Sequence, residues 1–579
     1  GAMHLNDAFG RNTDFHVVHC HHEQACAMAA DAYFRISGKP AVVQVTTGPG
    51  GVNALNGVYG AFVDSVPMVV VSGQVRSDNI SDFVDPRLRQ LGDQEARVVD
   101  MAKPVTKSAR IVKHVDELQS VFENAFVECQ NGRPGPVWID VPLDIQAAVM
   151  PHNSPVEKWA QATKLSVDPE NIDADAQVVI DALEVAERPI IIAGNGVRFS
   201  GTTDLLRELG ELLRIPITTV WNAHDLRGND HPSFCGRSGA DGDRAGNFSV
   251  QNADLILILG ARMAIRQIGF NYAAFGRNAK KIMVDLDRAE MEKLNLSVDV
   301  KLEYDLRYFL PTILKKYRDH VPSKTHTDYL SWCQQKVRKF PVVLPHHEQA
   351  QEGTINPYKF VQNLFNSLPS DCTIVTGDGT AAVVTFKAAT ISRNQRLFTN
   401  KGCASMGFDL PAVIGAYVAS PETPIICIAG DGSLMMNLQE LQTIIHHKIP
   451  VKLFVLNNDG YHSIRQSQTN YFDGFEVGCG PNSGISFPNF ELISEAFGFS
   501  YARIDNSPNS LKTIEDVVAS EGPVFCEVII DKEQLFEPRV SSQKLPSGKM
   551  VSNPLEDMTP LLSREQLRDE MIIDLWQEK

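Results

Sequence analysis

Runs of five or six mostly apolar residues, each closed by a glycine, proline, aspartate or asparagine, recur along this 579-residue chain and alternate with stretches whose apolar positions fall every three or four residues. The runs at 137–142, 189–193, 255–259, 281–285, 425–429 and 451–456 have few polar positions, as strands covered on both faces of a parallel sheet do. A shorter run at 15–18 predicts another strand, leading into a helix rich in Ala25, Ala27, Ala29, Ala30 and Ala32. Leu434, Leu438, Leu441, Ile444 and Ile445 share helical spacing, and His446, His447 and Lys448 suit the negative end of that dipole, so one amphipathic helix is predicted over 434–445. The alternation gives an α/β fold of three doubly wound parallel-sheet domains, at 1–155, 165–335 and 355–535. Linkers are expected at 151–164 and 342–354. The tail, 536–579, mixes proline, serine and charge and reads as a lid or a packing strap.

The unit at 425–458 carries the most chemistry. A helix of about 14 residues and a strand of about six both span roughly 20 Å, so the two strands end on one edge of the sheet. Gly430-Asp431-Gly432-Ser433 closes the first strand and Asn457-Asn458 the second, which makes Asp431 and Asn458 neighbours. With the backbone carbonyl of Gly460 they form a hard-oxygen set suited to magnesium, leaving positions for phosphate oxygens, and the helix N-terminus at Ser433 adds N–H donors. The alternative is an ordinary βαβ unit with a glycine-rich turn. Gly377-Asp378-Gly379, lacking an asparagine pair at the matching distance, shows what that looks like. The metal and diphosphate anchor points to thiamine diphosphate, which also needs a carboxylate against its aminopyrimidine ring. Glu23 is the candidate: at a strand-to-helix junction among alanines and Cys26 it would be poorly solvated and suited to proton exchange with a ring nitrogen. The alternative is a solvated glutamate in the first turn of a helix. His16, His19, His21 and His22 crowd the same stretch, but strand alternation would put 19 and 21 opposite 22, and no Cys-x-x-Cys or His-x-x-x-His spacing supports zinc. One or two of them, His22 first, are expected to line the substrate pocket.

Composition sets limits. With 43% hydrophobic and 21% charged residues the chain has core enough for several domains, and a net charge of −16 argues against nucleic acid or an anionic membrane as partner. Ten scattered cysteines, several in apolar runs, suggest reduced thiols in a cytoplasmic protein. No apolar stretch reaches membrane-spanning length and no secretory signal is visible.

Over nearly its whole length the chain resembles the acetolactate synthase group of thiamine diphosphate enzymes. His22-Glu23-Gln24, Thr47-Gly48-Pro49-Gly50-Gly51, Asp64-Ser65-Val66-Pro67, Ser72-Gly73-Gln74, Gly132-Arg133-Pro134-Gly135-Pro136-Val137, Ser405-Met406-Gly407-Phe408 and the 430–458 motif carry the likeness. The resemblance implies that Met406 wedges beneath the cofactor, that Ala404 and Met406 offer backbone groups to the aminopyrimidine, and that Gly379 and Thr380 contact the diphosphate. Pro49, Gly430, Gly432, Ser433 and Tyr461 complete the expected cofactor set. It also implies that Glu23 of one subunit meets the metal site of another, in a homodimer or homotetramer. FAD without a redox role is implied for the middle domain, on Arg133, Gly194, Gly196, Arg262 and Asp285; glycines that merely serve turns are the alternative.

Departures from the group bear on the substrate. Arg465 replaces the tryptophan that selects a larger keto acid acceptor, and Asp93 replaces an aromatic just before Gln94; Arg465 reads equally well as an ion-paired residue. Lys107 matches a lysine of the group's substrate channel, and the tail around 538–542 is similar to relatives acting on sugars. The expected reaction is therefore a carboligation in which pyruvate or a related 2-oxo acid loses carbon dioxide and its two-carbon unit passes to a keto acid or a nucleotide keto-sugar. A simple 2-oxo acid decarboxylase and a catalytically silent binding protein are the alternatives. The group also opens with a strand and helix ahead of the segment matching 15–23, for which there is little chain here, so residues are expected to be missing before Gly1.

Overall fold

The computed structural model describes residues 1–150, 169–319, 322, 324–544 and 550–577. The predicted linker at 151–164 lies outside them. Three all-parallel sheets form the frame. The first is built from β1 (Ala41–Val45), β2 (Met68–Gln74), β3 (Ser108–Ile111) and β4 (Val137–Pro142) in the order β1-β2-β4-β3. The second orders β5 (Pro189–Ala193), β6 (Ile217–Thr219), β7 (Leu255–Leu259), β8 (Lys280–Asp285) and β9 (Val300–Glu303) as β6-β5-β7-β8-β9. In the third, β10 (Thr373–Thr376), β11 (Arg396–Phe398), β12 (Ile425–Gly430), β13 (Lys452–Asn457), β14 (Ser500–Ile504) and β15 (Val524–Ile529) run β11-β10-β12-β13-β15-β14. Apolar layers cover both faces of each sheet, which is why its strands read as unbroken apolar runs.

Two expected elements differ. Residues 15–18 pair with no strand among the described residues; the chain instead forms α1 (Met3–Arg11), runs on irregularly, and enters α2 (Glu23–Ser37). The helix predicted over 434–445 is broken. Further along, α3 is Pro49–Val63, α4 Thr380–Ala388 and α5 Asp409–Ala419; the broken stretch then comprises α6 (Asp431–Leu434) and α7 (Glu440–His446). At the break the Asn437 side chain leaves the helical pattern to donate to the carbonyl of Gly407 at 2.7 Å, a local competition asparagine wins easily.

The small residues of α2 have a packing cause. A Cβ on Gly57 of α3 would stand 2.6 Å from the Ala27 Cβ, and one on Gly415 of α5 would stand 1.9 Å from the Ala29 carbonyl oxygen. Helix α2 is thus wedged between its own domain and the third, burying Met28 and Ala32 in the apolar layer of the latter. The tail lies along the middle domain as a strap: Arg244 donates to the Met558 carbonyl at 3.2 Å, and Gln251 and Arg277 both bond Glu556 at 2.6 and 2.8 Å. At its start, Glu537 accepts from His346 and His347 of the 342–354 stretch at 2.7 and 2.9 Å. These three side chains are close enough for a metal, but His347 Nδ1 accepts the Leu344 N–H at 3.0 Å, which puts the imidazole proton on Nε2, toward Glu537.

Candidate active site

Strands β12 and β13 pair with Gly430 opposite Leu456, so the residues just past their ends lie side by side. Asp431, the first residue of α6, takes three backbone N–H bonds: Gly432 onto Oδ1 at 2.7 Å, and Asn458 and Gly460 onto Oδ2 at 3.1 Å each. No cationic side chain pairs with it among the described residues. Burial raises its pKa to about 7 against the opposing pull of those N–H groups. Beside it, Asn458 Oδ1 is buried with no hydrogen-bond partner among the described residues, while its Nδ2 reaches Thr380 Oγ1 at 3.5 Å. An unpaired buried carboxylate beside an orphaned amide oxygen is costly unless something electropositive joins them, and the all-oxygen donor set fits magnesium. Gly460 is held at φ 156° with its Cβ direction blocked by the Cys479 carbonyl, 1.9 Å away, so only glycine fits there. Tyr461 lays its ring where a Cβ on Gly432 would be, 2.1 Å from Cε1. Gly379, at φ 71°, precedes α4, and nothing within 4 Å fills the space beside it.

The 404–409 loop is tied to this anchor. Ala404 stands at φ 55°, a strained value for a residue with a Cβ, and its N–H bonds the Asn400 carbonyl at 2.7 Å. The Gly407 N–H donates to Ser433 Oγ at 2.9 Å, and Ser433 donates to the buried Asp409 at 2.6 Å, so one hydroxyl links the half-buried Met406 turn to the Gly430 to Ser433 segment.

Glu23 begins α2. It is half-buried, its carboxylate accepts from Asn53 Nδ2 at 3.1 Å, and it lies 3.5 Å from the Cβ position of Gly50 in the Thr47 to Gly51 turn, where Pro49 opens α3. Gln94 stands on the same turn: it is exposed at φ 61°, and its carbonyl oxygen lies 2.0 Å from the Cβ direction of Gly48. His22 caps the helix, with Nδ1 accepting the Gln24 N–H at 3.1 Å, and does not reach out as a free ligand. Lys107 donates to the Asn131 carbonyl at 2.5 Å. Arg465 meets Glu476 at 3.3 Å and donates to the carbonyls of Asn458, Asp459 and Cys479 at 3.3 to 3.4 Å.

A cavity of about 820 Å³ opens where β5, β7 and β8 end, at the point where the strand order reverses. Arg133, Gly196, Arg262 and Asp285 line it; Gly194 does not, and serves instead to let its turn pass the Gly260 carbonyl, 2.3 Å from its Cβ direction. Arg133 is engaged by Asp287 and Glu290 at 2.7 and 2.9 Å, and burial lifts the Asp285 pKa to about 6. Trp221 and Lys401, absent from the sequence-based set, also line this cavity; the ammonium sits 3.8 Å over the indole ring, whose buried Nε1 has no hydrogen-bond partner among the described residues.

Three family models match the chain in order: the thiamine pyrophosphate enzyme N-terminal TPP binding domain over residues 1–99, the central domain over 176–313 and the C-terminal TPP binding domain over 377–528. The acetolactate synthase isozyme 1 large subunit of Escherichia coli (strain K12) is 31% identical over 534 residues, covering 92% of this chain and 90% of its own. The probable acetolactate synthase large subunit of Methanococcus aeolicus is 32% identical, covering 92% and 88%, and the Lactococcus lactis acetolactate synthase large subunit 29%, covering 94% and 91%.

Proposed function

The chain belongs to the acetolactate synthase group of thiamine pyrophosphate enzymes, decarboxylating carboligases dependent on thiamine diphosphate, and from that premise we propose how its own residues serve the reaction and what acceptor it takes. Asp431, Asn458 and the Gly460 carbonyl hold magnesium; the observation that carries this is the unpaired carboxylate beside the orphaned amide oxygen at two adjacent strand ends. The N–H group at Ser433, with Gly379 and Thr380, faces the diphosphate, while the Gly432 N–H is held by Asp431. Ala404 and Met406 present backbone and side chain to the aminopyrimidine, with the strained φ at Ala404 held by the Asn400 bond. The coenzyme, when bound, supplies the electron sink for loss of carbon dioxide from a 2-oxo acid. Glu23, contributed by an adjoining copy of the chain, exchanges a proton with a ring nitrogen and so sets the cofactor's active tautomer. Glu23→Gln is expected to retain cofactor and lose roughly 100-fold or more in kcat; an unchanged rate removes Glu23 from the mechanism.

The acceptor is a polar carbonyl such as a nucleotide keto-sugar, a reading supported by exposed Asp93 beside Gln94 and by Arg465 at the rim of the metal loop, where the group carries aromatic residues. The 820 Å³ cavity takes FAD, supported by its place at the strand-order reversal and by the unpartnered Trp221 Nε1. Mass spectrometry of products from labelled pyruvate offered with keto acids, aldehydes and nucleotide keto-sugars tests the first; free aldehyde alone, whatever the acceptor, would make the protein a simple decarboxylase. Flavin absorbance in gently purified protein tests the second.

A further inference from the structure

Glu440, the first residue of α7, is fully buried, and no cation pairs with it among the described residues. Its Oε1 accepts the backbone N–H groups of His21 and His22 at 3.0 and 3.1 Å, and its Oε2 accepts from Thr443 Oγ1 at 2.7 Å. A buried carboxylate satisfied by neutral N–H and O–H donors is held in a fixed geometry and in turn fixes those donors, because breaking one of the bonds leaves a buried polar group without its partner. Those donors belong to the two residues before Glu23. The Glu23 carboxylate is held by Asn53, so Glu440 supplies the backbone half of its support from more than 400 residues away. The segment carrying Glu440 also touches the cofactor cradle of its own chain: Asp431 opens it, and Ser433 and Asn437 hold the N–H and carbonyl of Gly407 at 2.9 and 2.7 Å.

We infer that Glu440 is a positioning residue for Glu23, and that residues 431–440 rigidly join the cofactor cradle of one chain to the carboxylate that this same chain presents to its neighbour's cofactor. The inference rests on the reading of Glu23 given above. Two active sites of a dimer are then mechanically linked through each chain.

In Glu440→Ala, kcat is expected to fall by roughly 100-fold, the scale of an ångström-sized misplacement of a reacting group, with affinity for thiamine diphosphate and magnesium within threefold of the parent. Glu440→Gln keeps an oxygen for both N–H groups and should restore kcat to within about fivefold. Should the alanine variant not fold, Glu440→Asp, which shortens the reach, is expected to show a loss of about tenfold with normal cofactor affinity. An unchanged kcat, a cofactor affinity that falls in step with activity, or a glutamine variant as poor as alanine would each overturn the inference. Differently tagged mixed dimers assign the effect to a chain. Glu440→Ala paired with Glu23→Gln should be no more active than the Glu440→Ala homodimer, whereas Glu440→Ala paired with Asp431→Ala should recover up to half the parent activity; the reverse pattern would place the role of Glu440 in its own chain's cradle and overturn the inference. Glu23→Gln paired with Asp431→Ala is the control. Its recovery supports the shared site, and its silence would sink that reading while the comparison of the Glu440 homodimers still decides whether Glu440 positions Glu23.

Discussion

At the scale of single residues, the proposed metal site rests on a buried carboxylate bonded only by backbone N–H groups and an amide oxygen with no hydrogen-bond partner among the described residues. These are Asp431 and the Asn458 oxygen; each is buried and neither has a cation beside it among the described residues. Asp431→Ala is expected to lower magnesium and diphosphate affinity by about 2 kcal/mol or more, since it removes the carboxylate of the proposed metal site; calorimetry giving parent-like binding would contradict the anchor. Both residues were legible from the sequence, since a strand ending in Gly-Asp-Gly and a neighbouring strand ending in Asn-Asn leave little freedom in where those side chains go. Asp409 and Glu440 were not. Each looks like an ordinary acid in the first turn of a helix, and only the chain brought to it from elsewhere, Ser433 in one case and His21 to His22 in the other, shows its use.

At the scale of elements, strands were easier to read than helices. Parallel strands covered on both faces must be apolar throughout, so their runs and ends stand out, as at β12 and β13. The helix after β12 has the right apolar spacing, yet Asn437 breaks it to serve a loop some 30 residues upstream. Residues 15–18 have strand-like composition but pair with no strand among the described residues. Helix α2 is alanine-rich because backbones approach closely on both sides, and a bulkier residue opposite it should be felt. Gly415→Val, with its Cβ directed at a backbone oxygen, is expected to destabilise the third domain by about 2 to 3 kcal/mol; an unshifted melting transition would mean the two helices can part freely.

At the scale of the whole molecule, the three sheets are fastened by side chains that cross between domains. Arg237 of the middle domain donates to the carbonyls of Phe386, Lys387 and Ala389 at 2.6, 2.8 and 2.5 Å, near the end of α4. Asp225 sits between Arg198 and Arg396. The tail is fastened by Glu537, whose carboxyl burial alone would raise, but hydrogen bonds from His347, His346 and Gln534 bring down to about 2. Because the folded value lies below the ordinary value of about 4.3, the stabilisation is fully present above that pH and is lost as pH falls toward 2. Glu537→Gln should therefore cost on the order of 1 kcal/mol near neutral pH, discounted for partial solvent contact, and progressively less below pH about 4. Urea midpoints for both proteins at pH 6 and pH 3 check this; an equal gap at both would exclude the carboxylate as the cause.

The sequence by itself determined β4, β5, β7, β8, β12 and β13, the three-sheet α/β class, the side-by-side placement of Asp431 and Asn458 and the family, because each is written in residues adjacent along the chain or one βαβ unit apart, where geometry leaves few choices. The tertiary structure alone decided that Arg465 clasps the carbonyls of Asn458 and Asp459, that the tail straps the middle domain, that Trp221 and Lys401 line the 820 Å³ cavity, and that Glu440 supports the peptide before Glu23. The Arg465 contacts span 6 to 14 residues and the others more than a hundred, and a charged side chain carries no local mark of which backbone will use it.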